Sequence, residues 1–147
     1  SNVNQRVYWG ASHIGSSGGG SGNWNLSGIF SNGSIPNAEF NVGVTGLYKV
    51  MAVLTMRSTV NDKERYASFT LMDSSDITDT TQGLLWGAQR WSPADSSNNA
   101  YIQVHLTGIV SLTAGTDYTF VARSEDDGTL ILYDWSGSST VVVEPFY

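Results

Sequence analysis

Few residues of this sequence are suited to catalysis. It contains two histidines, His13 and His105, and no cysteine. Neither histidine lies in a Gly-x-Ser-x-Gly elbow, and no His-Glu-x-x-His or His-x-His motif is present. The glycine run at Gly18–Gly20 lacks the Gly-Lys-Ser/Thr ending of a phosphate loop. A Ser-His-Asp triad assembled from distant residues stays open, because sequence alone does not test it. We expect a protein that is not an enzyme and needs no cofactor.

Acidic residues occur in two groups that offer oxygen ligands. Asp73, Asp76 and Asp79 recur at every third position, and Glu125–Asp127 form an unbroken acidic run. Carboxylates of this kind can bind Ca²⁺, but neither group has the ligand spacing of a helix-loop-helix calcium site. Aspartate is also favoured in turns. We interpret both groups as solvated turn residues and expect no metal.

Two tryptophans flank polar loops. Trp91 precedes the loop Ser92–Asn99, and Trp135 precedes a Ser-Gly-Ser segment. An aromatic ring beside Asp and Asn suits stacking and hydrogen bonding to a sugar, and it is equally typical of the rim of a protein-recognition site. The predicted ligand-binding residues are Trp91, Asp95, Asn98, Asn99 and Trp135.

The charge balance limits the possible partners. Seven basic residues stand against 13 acidic ones, giving a net charge of −6. Since phosphate binding needs concentrated Lys and Arg, we expect no nucleic acid partner. No apolar run is long enough to cross a bilayer, so we expect no membrane insertion. The length suits one domain spanning residues 1–147. A domain of this size can be stable outside the cell without disulfides.

The hydrophobic pattern predicts an all-β protein. The chain is rich in Gly, Ser, Thr and Asn, and its apolar residues alternate with polar ones instead of recurring at helical spacing. Ten short strands in one unit favour a sandwich or jelly roll. The predicted strands are Gln5–Ile14, Trp24–Phe30, Glu39–Val42, Leu47–Met56, Tyr66–Met72, Gly83–Trp91, Ala100–Leu112, Asp117–Ser124, Thr129–Trp135 and Ser139–Phe146.

Leu47–Met56 is the most informative of these strands. Alternation places the even-numbered residues on the core face and the odd-numbered ones on the outward face, where three of five are apolar. Ala100–Leu112 and Val141–Val143 carry a similar surplus of apolar residues. Monomers rarely leave such a patch in water. Its cover is therefore either a loop of the same chain or another subunit.

Three segments resemble the complement globular-head and tumour-necrosis-factor (TNF) jelly rolls. Glu39–Val50 (EFNVGVTGLYKV) is similar to the entry into the family's central strand. Leu106–Phe120 (LTGIVSLTAGTDYTF) is similar to a strand-turn-strand motif, with Thr116 as an extra residue. Gly137–Tyr147 (GSSTVVVEPFY) resembles the closing strand, although Val141–Val143 replaces the Phe-Ser-Gly usual in complement heads.

The resemblance implies a ten-strand jelly roll that assembles as a threefold-symmetric trimer. The family's axis-lining position, which is usually a tyrosine, corresponds to His105 in this sequence. Two further interface positions of the family correspond to Met51 and Val141. A histidine there implies a more polar, pH-responsive axis. With their outward-facing neighbours, the predicted trimer interface is Met51, Val53, Tyr101, His105 and Val141.

These observations together predict a non-enzymatic trimeric head, or knob, that recognises a receptor or glycan on a host cell. We expect it at the tip of a phage or viral tail appendage, and hence extracellular or on the virion. Two alternatives stay open. One is a monomeric β-sandwich carbohydrate-binding module, and the other is a structural head that trimerises a filament.

Overall fold

The computed structural model describes residues 5–7, 39–58, 65–91, 101–124, 130–132 and 140–146. These residues form nine β-strands and one short 3₁₀ helix, Thr80–Gln82. No helix among them is long and apolar enough to span a membrane. The strands are β1 (Gln5–Arg6), β2 (Glu39–Phe40), β3 (Gly46–Ser58), β4 (Arg65–Asp73), β5 (Leu85–Trp91), β6 (Tyr101–Leu112), β7 (Tyr118–Ser124), β8 (Leu130–Leu132) and β9 (Thr140–Pro145).

The strands form two antiparallel sheets. The five-stranded sheet has the order β1-β7-β4-β5, with β2 also paired to β7. The four-stranded sheet has the order β6-β3-β8, with β9 also paired to β3. The chain changes sheet after β2, β3, β5, β6 and β7, which is the winding of a jelly roll. The predicted all-β sandwich is confirmed.

Strands occur at nine of the ten predicted positions. The alternation that predicted them persists because one face of each sheet packs on the core. The end of each strand differs from its predicted position by up to a few residues, and only Gln5–Arg6 of the first predicted strand is paired within the described part of the chain. The strand predicted at Trp24–Phe30 lies outside the described residues.

The core is packed between the sheets around aromatic rings. Phe120 of β7 is fully buried, with ring centroids 5.8 Å from Phe40 and 5.5 Å from Phe69. Tyr48, also fully buried, donates a hydrogen bond of 2.6 Å from its hydroxyl to the carbonyl of Val44. A buried hydroxyl needs such a partner. The aromatic residues of the Glu39–Val50 motif are therefore core residues.

The turn between β6 and β7 contains Thr116, the extra residue of the Leu106–Phe120 motif. Gly115 has φ = +81°, a left-handed conformation that favours glycine. The amide of Thr116 donates to the carbonyl of Thr113 at 3.2 Å. The amide of Thr113 in turn donates to the Tyr118 hydroxyl at 2.8 Å. The turn therefore accommodates the insertion with its backbone groups paired.

Truncating Phe120 should strongly destabilise the fold. Phe120→Ala leaves a cavity among aromatic rings, and we expect the free energy of unfolding to fall by about 3–5 kcal/mol. Phe120→Leu, which keeps most of the volume, should cost clearly less. Urea unfolding followed by circular dichroism measures both. Equal losses for the two variants would show that the cavity is not the cause.

Candidate subunit interface

The outward face of the four-stranded sheet carries an exposed apolar surface. Leu47 is 48% exposed, Ile109 49% and Phe146 50%, while Met51 is 38% exposed. We call this surface the apolar face and define it as Leu47, Met51 and Val53 of β3, Ile109 of β6, Val142 of β9, and Phe146 after β9. The prediction that β3 is apolar on both faces is confirmed, and no loop among the described residues covers its outward side.

Strand register makes the apolar face continuous. Met51 lies directly opposite Val142 of β9 on one side and Thr107 of β6 on the other. The amide of Phe146 donates to the carbonyl of Leu47 at 2.9 Å, which extends the β3–β9 pairing by one residue. Directly paired residues have Cβ atoms about 4.5–5.5 Å apart. The apolar side chains of β3 and β9 therefore form adjoining columns.

Opposite charges lie within the apolar face. Lys49 of β3 is paired in register with Glu144 of β9 and, on its other side, with Ile109. Both charged residues are half-buried. Opposite charges paired across strands attract each other. Since the two charges cancel, another surface could bury this part of the face without leaving a net charge behind.

One end of the same sheet face is polar. His105 is exposed and lies opposite Val53, as predicted from alternation. The next outward residue of β6, Gln103, donates from Nε2 to Thr55 Oγ1 at 3.2 Å. Tyr101 pairs with Arg57 at the end of β6, and its side chain lies outside the described part of the structure. Met51, Val53 and His105 thus share one face of one sheet.

The placement of Val141 at the interface is wrong. Val141 is 0% exposed and belongs to the core, where it pairs with Ala52. Its neighbour Val142 points outward beside Met51 instead. Three consecutive valines show no alternation, so the sequence did not indicate which of them faces the core. The apolar face also includes Ile109, which the alternation of β6 would have identified.

The predicted ligand-binding residues fall almost entirely outside the described part of the structure. Trp91 is the last residue of β5, and its side chain is outside the described part. Asp95, Asn98, Asn99 and Trp135 also lie outside the described residues. Ligand binding by these five residues stays a prediction.

The three regularly spaced aspartates each close a turn. Asp73 accepts from the amide of Ser75 at 2.8 Å. Asp76 and Asp79 accept from the amides of Thr78 and Thr81 and from the hydroxyls of the same threonines, at 2.6–3.0 Å. Hydrogen bonds to the charged form favour that form. The pKa of each carboxyl is therefore lowered, chiefly by the Ser75 amide for Asp73 and by the threonine hydroxyls for Asp76 and Asp79.

A cavity of about 320 Å³ lies beside the first of these turns. Its carboxylates already accept hydrogen bonds from within the protein: Glu39 from the Ser74 hydroxyl at 2.5 Å, and Asp117 from the Asn41 amide group at 3.1 Å. Among the described residues, no three acidic or histidine side chains are grouped closely enough to hold a metal ion. The turn interpretation of the aspartates is thus supported by their hydrogen bonds.

The sheet order and crossovers define an all-β jelly-roll sandwich, and two TNF-family jelly rolls are similar to it. Eiger TNF from S. frugiperda is 19% identical over 70% of this chain, with a TM-score of 0.48, and the match spans 60% of the Eiger chain. Murine APRIL is 16% identical over 68% of this chain and 67% of its own, with a TM-score of 0.43. Both are solved structures of the TNF family that the sequence motifs resemble.

A carbohydrate-binding module of Cellvibrio mixtus lichenase 5A, solved in complex with cellotriose, is also similar. It is 11% identical over 96% of this chain and 98% of its own, with a TM-score of 0.34. No protein-family model matches the sequence, and no curated protein matches it.

Acid should weaken the aspartate turns. A carboxyl group whose pKa is lower in the folded than in the unfolded state stabilises the fold. This stabilisation is complete above the pKa of the unfolded state, and it is lost as the pH falls through the pKa of the folded state. We expect Asp76→Asn to lower the urea midpoint at neutral pH, with the difference from wild type shrinking below pH about 4.

Thr78→Val removes one donor and should raise the pKa of Asp76, measured by carbon-13 NMR titration. An unchanged titration in Thr78→Val would contradict this account.

Proposed function

We propose that this chain is a non-enzymatic head domain that assembles as a homotrimer and recognises a receptor or glycan on a cell surface. The observation that carries the proposal is the apolar face, whose Leu47, Met51, Ile109 and Phe146 are each more than a third exposed in the single chain. Apolar surface of this kind on a soluble protein marks an interaction site. Association through such a patch usually gives a closed symmetric oligomer, and the sequence motifs favour a trimer over the commoner twofold dimer.

A threefold arrangement follows from the sequence motifs, which resemble trimeric jelly-roll heads. The polar end of the face around His105 would lie nearest the axis, and Met51 and Val142 would lie against a neighbouring copy. The Lys49 and Glu144 pair would be enclosed with its charges balanced, which avoids the cost of burying an unpaired ion. The trimer would also retain the acidic charge that keeps each chain soluble.

Recognition in this proposal is the task of loops and surfaces displayed by a rigid β scaffold. Strand-supported loops vary freely without disturbing the core. Three identical sites raise the overall avidity beyond the affinity of one site. We place the domain at the tip of a phage or viral tail appendage, exposed outside the cell or on the virion.

Disrupting the apolar face should dissociate the trimer. Light scattering of the wild type should give three times the chain mass of 15.9 kDa. Met51→Glu introduces a charge whose burial costs several kcal/mol per copy, so we expect a single-chain mass at micromolar concentration. Because Met51 is 38% exposed in the isolated chain, the variant should keep its β circular dichroism spectrum.

Leu84→Glu is the matched control for this experiment. Leu84 is 43% exposed but lies next to β5 in the other sheet, so the same change should leave the mass trimeric. A wild type that stays a single chain at tens of micromolar would contradict the trimer and favour the monomeric carbohydrate-binding alternative.

Loss of the trimer should also weaken recognition. On a glycan array and a panel of intact cells, we expect Met51→Glu to bind at least about 10²-fold more weakly than wild type, because multivalent attachment is lost. Val44→Ala, which truncates a side chain that is 44% exposed before β3, should bind like the wild type. If the wild type binds no glycan and no cell in the panel, the recognition role is wrong.

A further inference from the structure

A second surface feature lies on the opposite sheet, away from the apolar face. It is a cavity of about 350 Å³ on the outward side of β4 and β5. Pockets that hold a small ligand begin at about 300 Å³. The described residues lining it are Tyr66, Ser68, Thr80, Thr81, Gly83 and Trp86.

One wall of the cavity is an exposed tryptophan. Trp86 is 59% exposed, the largest fraction among the exposed large hydrophobic side chains of the described residues. Its backbone is held in β5, where it pairs with Thr70, a fully buried residue of β4. Large aromatic side chains are usually mostly buried, and they contribute strongly to recognition where they are exposed. Trp86 therefore offers a firmly positioned apolar surface to a ligand.

A turn fixed against the sheet also lines the cavity. Asp79 accepts from the Thr81 amide at 3.0 Å and from its hydroxyl at 2.6 Å. The amide of Leu84 donates to the carbonyl of Leu71 at 2.8 Å, which ties the end of the turn to β4. Because the Thr81 hydroxyl donates its hydrogen to Asp79, its oxygen can act toward a ligand only as an acceptor.

Glycine at position 83 allows this turn to lie so close to the sheet. A Cβ on Gly83 would lie 2.3 Å from Cγ2 of Thr70 and 3.1 Å from the carbonyl oxygen of Thr80. Any larger residue would therefore displace either the turn or the β4 side chain. The position of the turn against β4 depends on this contact.

We propose that this cavity binds a neutral saccharide, with one sugar ring stacked on Trp86 and its hydroxyls bonded to Ser68, Thr80 and Thr81. A pyranose has an apolar C–H face and a rim of hydroxyls, which match an aromatic ring beside side-chain hydroxyls. The Ser68 and Thr80 hydroxyls can both donate and accept, as sugar hydroxyls do, while the Thr81 hydroxyl can accept. None of the described lining residues is charged. The assignment rests on the proposed recognition function and specifies its ligand class.

NMR of the full chain tests the site directly. The probes are the methyl glycosides of glucose, galactose, mannose and N-acetylglucosamine, titrated to millimolar concentration. At least one should shift the Trp86 indole signal, which is assigned by its absence in Trp86→Phe, and the shift should saturate. Trp86→Ala should bind that glycoside at least about tenfold more weakly.

Two further variants control for indirect effects. Gly83→Ala should also weaken binding, because the added methyl group displaces the turn or the Thr70 side chain beside it, while Trp86 remains. Val44→Ala, a truncation of a side chain that is 44% exposed before β3, should leave the affinity unchanged. Light scattering should show the same mass for all of these variants.

The failures of this inference and of the proposed function are distinguishable. If the wild type binds an array glycan and Trp86→Ala binds it equally well, the site is wrong while the recognition role stands. If none of the four glycosides shifts the Trp86 signal, the saccharide assignment is overturned. The proposed recognition function is then tested only by the binding of the protein to the panel of intact cells. Loss of binding to a protein receptor in Trp86→Ala, without any glycoside shift, would show that a protein docks there instead.

Discussion

The pairing of β3 with β6 runs without interruption from Gly46 opposite Leu112 to Arg57 opposite Tyr101. Side chains on a strand alternate between faces, so a slip of one residue would exchange the core and outward sets along the whole pair. Val50 and Leu54 would then leave the core and Lys49 would enter it. The same register that fills the core therefore places Met51 and Ile109 outward. The apolar face is fixed as firmly as the core itself.

The outward sides of the two sheets differ in chemistry. The four-stranded sheet presents apolar side chains around a balanced pair of charges. On the five-stranded sheet, the outward residues Ser68, Thr70 and Thr119 are buried, while Trp86 stands exposed at the edge. The apolar face and the Trp86 cavity thus occupy opposite sides of one sandwich. This separation would let the proposed assembly and the proposed recognition vary independently.

Alternation predicted much of the fold and part of the apolar face, because a half-buried strand must repeat with a period of two. It placed Met51, Val53 and His105 outward correctly. It failed at Val141, where three valines in succession show no alternation and only the pairing of β9 with β3 decides which faces inward. The Trp86 cavity was not predictable, because it depends on how the turn at Thr80–Gln82 lies against β4. No local pattern in the sequence encodes that contact.

The position of Trp86 on the sheet opposite the apolar face has a geometric consequence. Any copy that docks through Met51 turns its tryptophan away from its neighbours, so the sugar sites of an assembly would diverge radially. A flat layer of short glycans could then meet two of them at once, which gives bivalent but not trivalent attachment. A long polysaccharide with repeating units, by contrast, could pass around the outside of the proposed trimer and occupy all of its sugar sites.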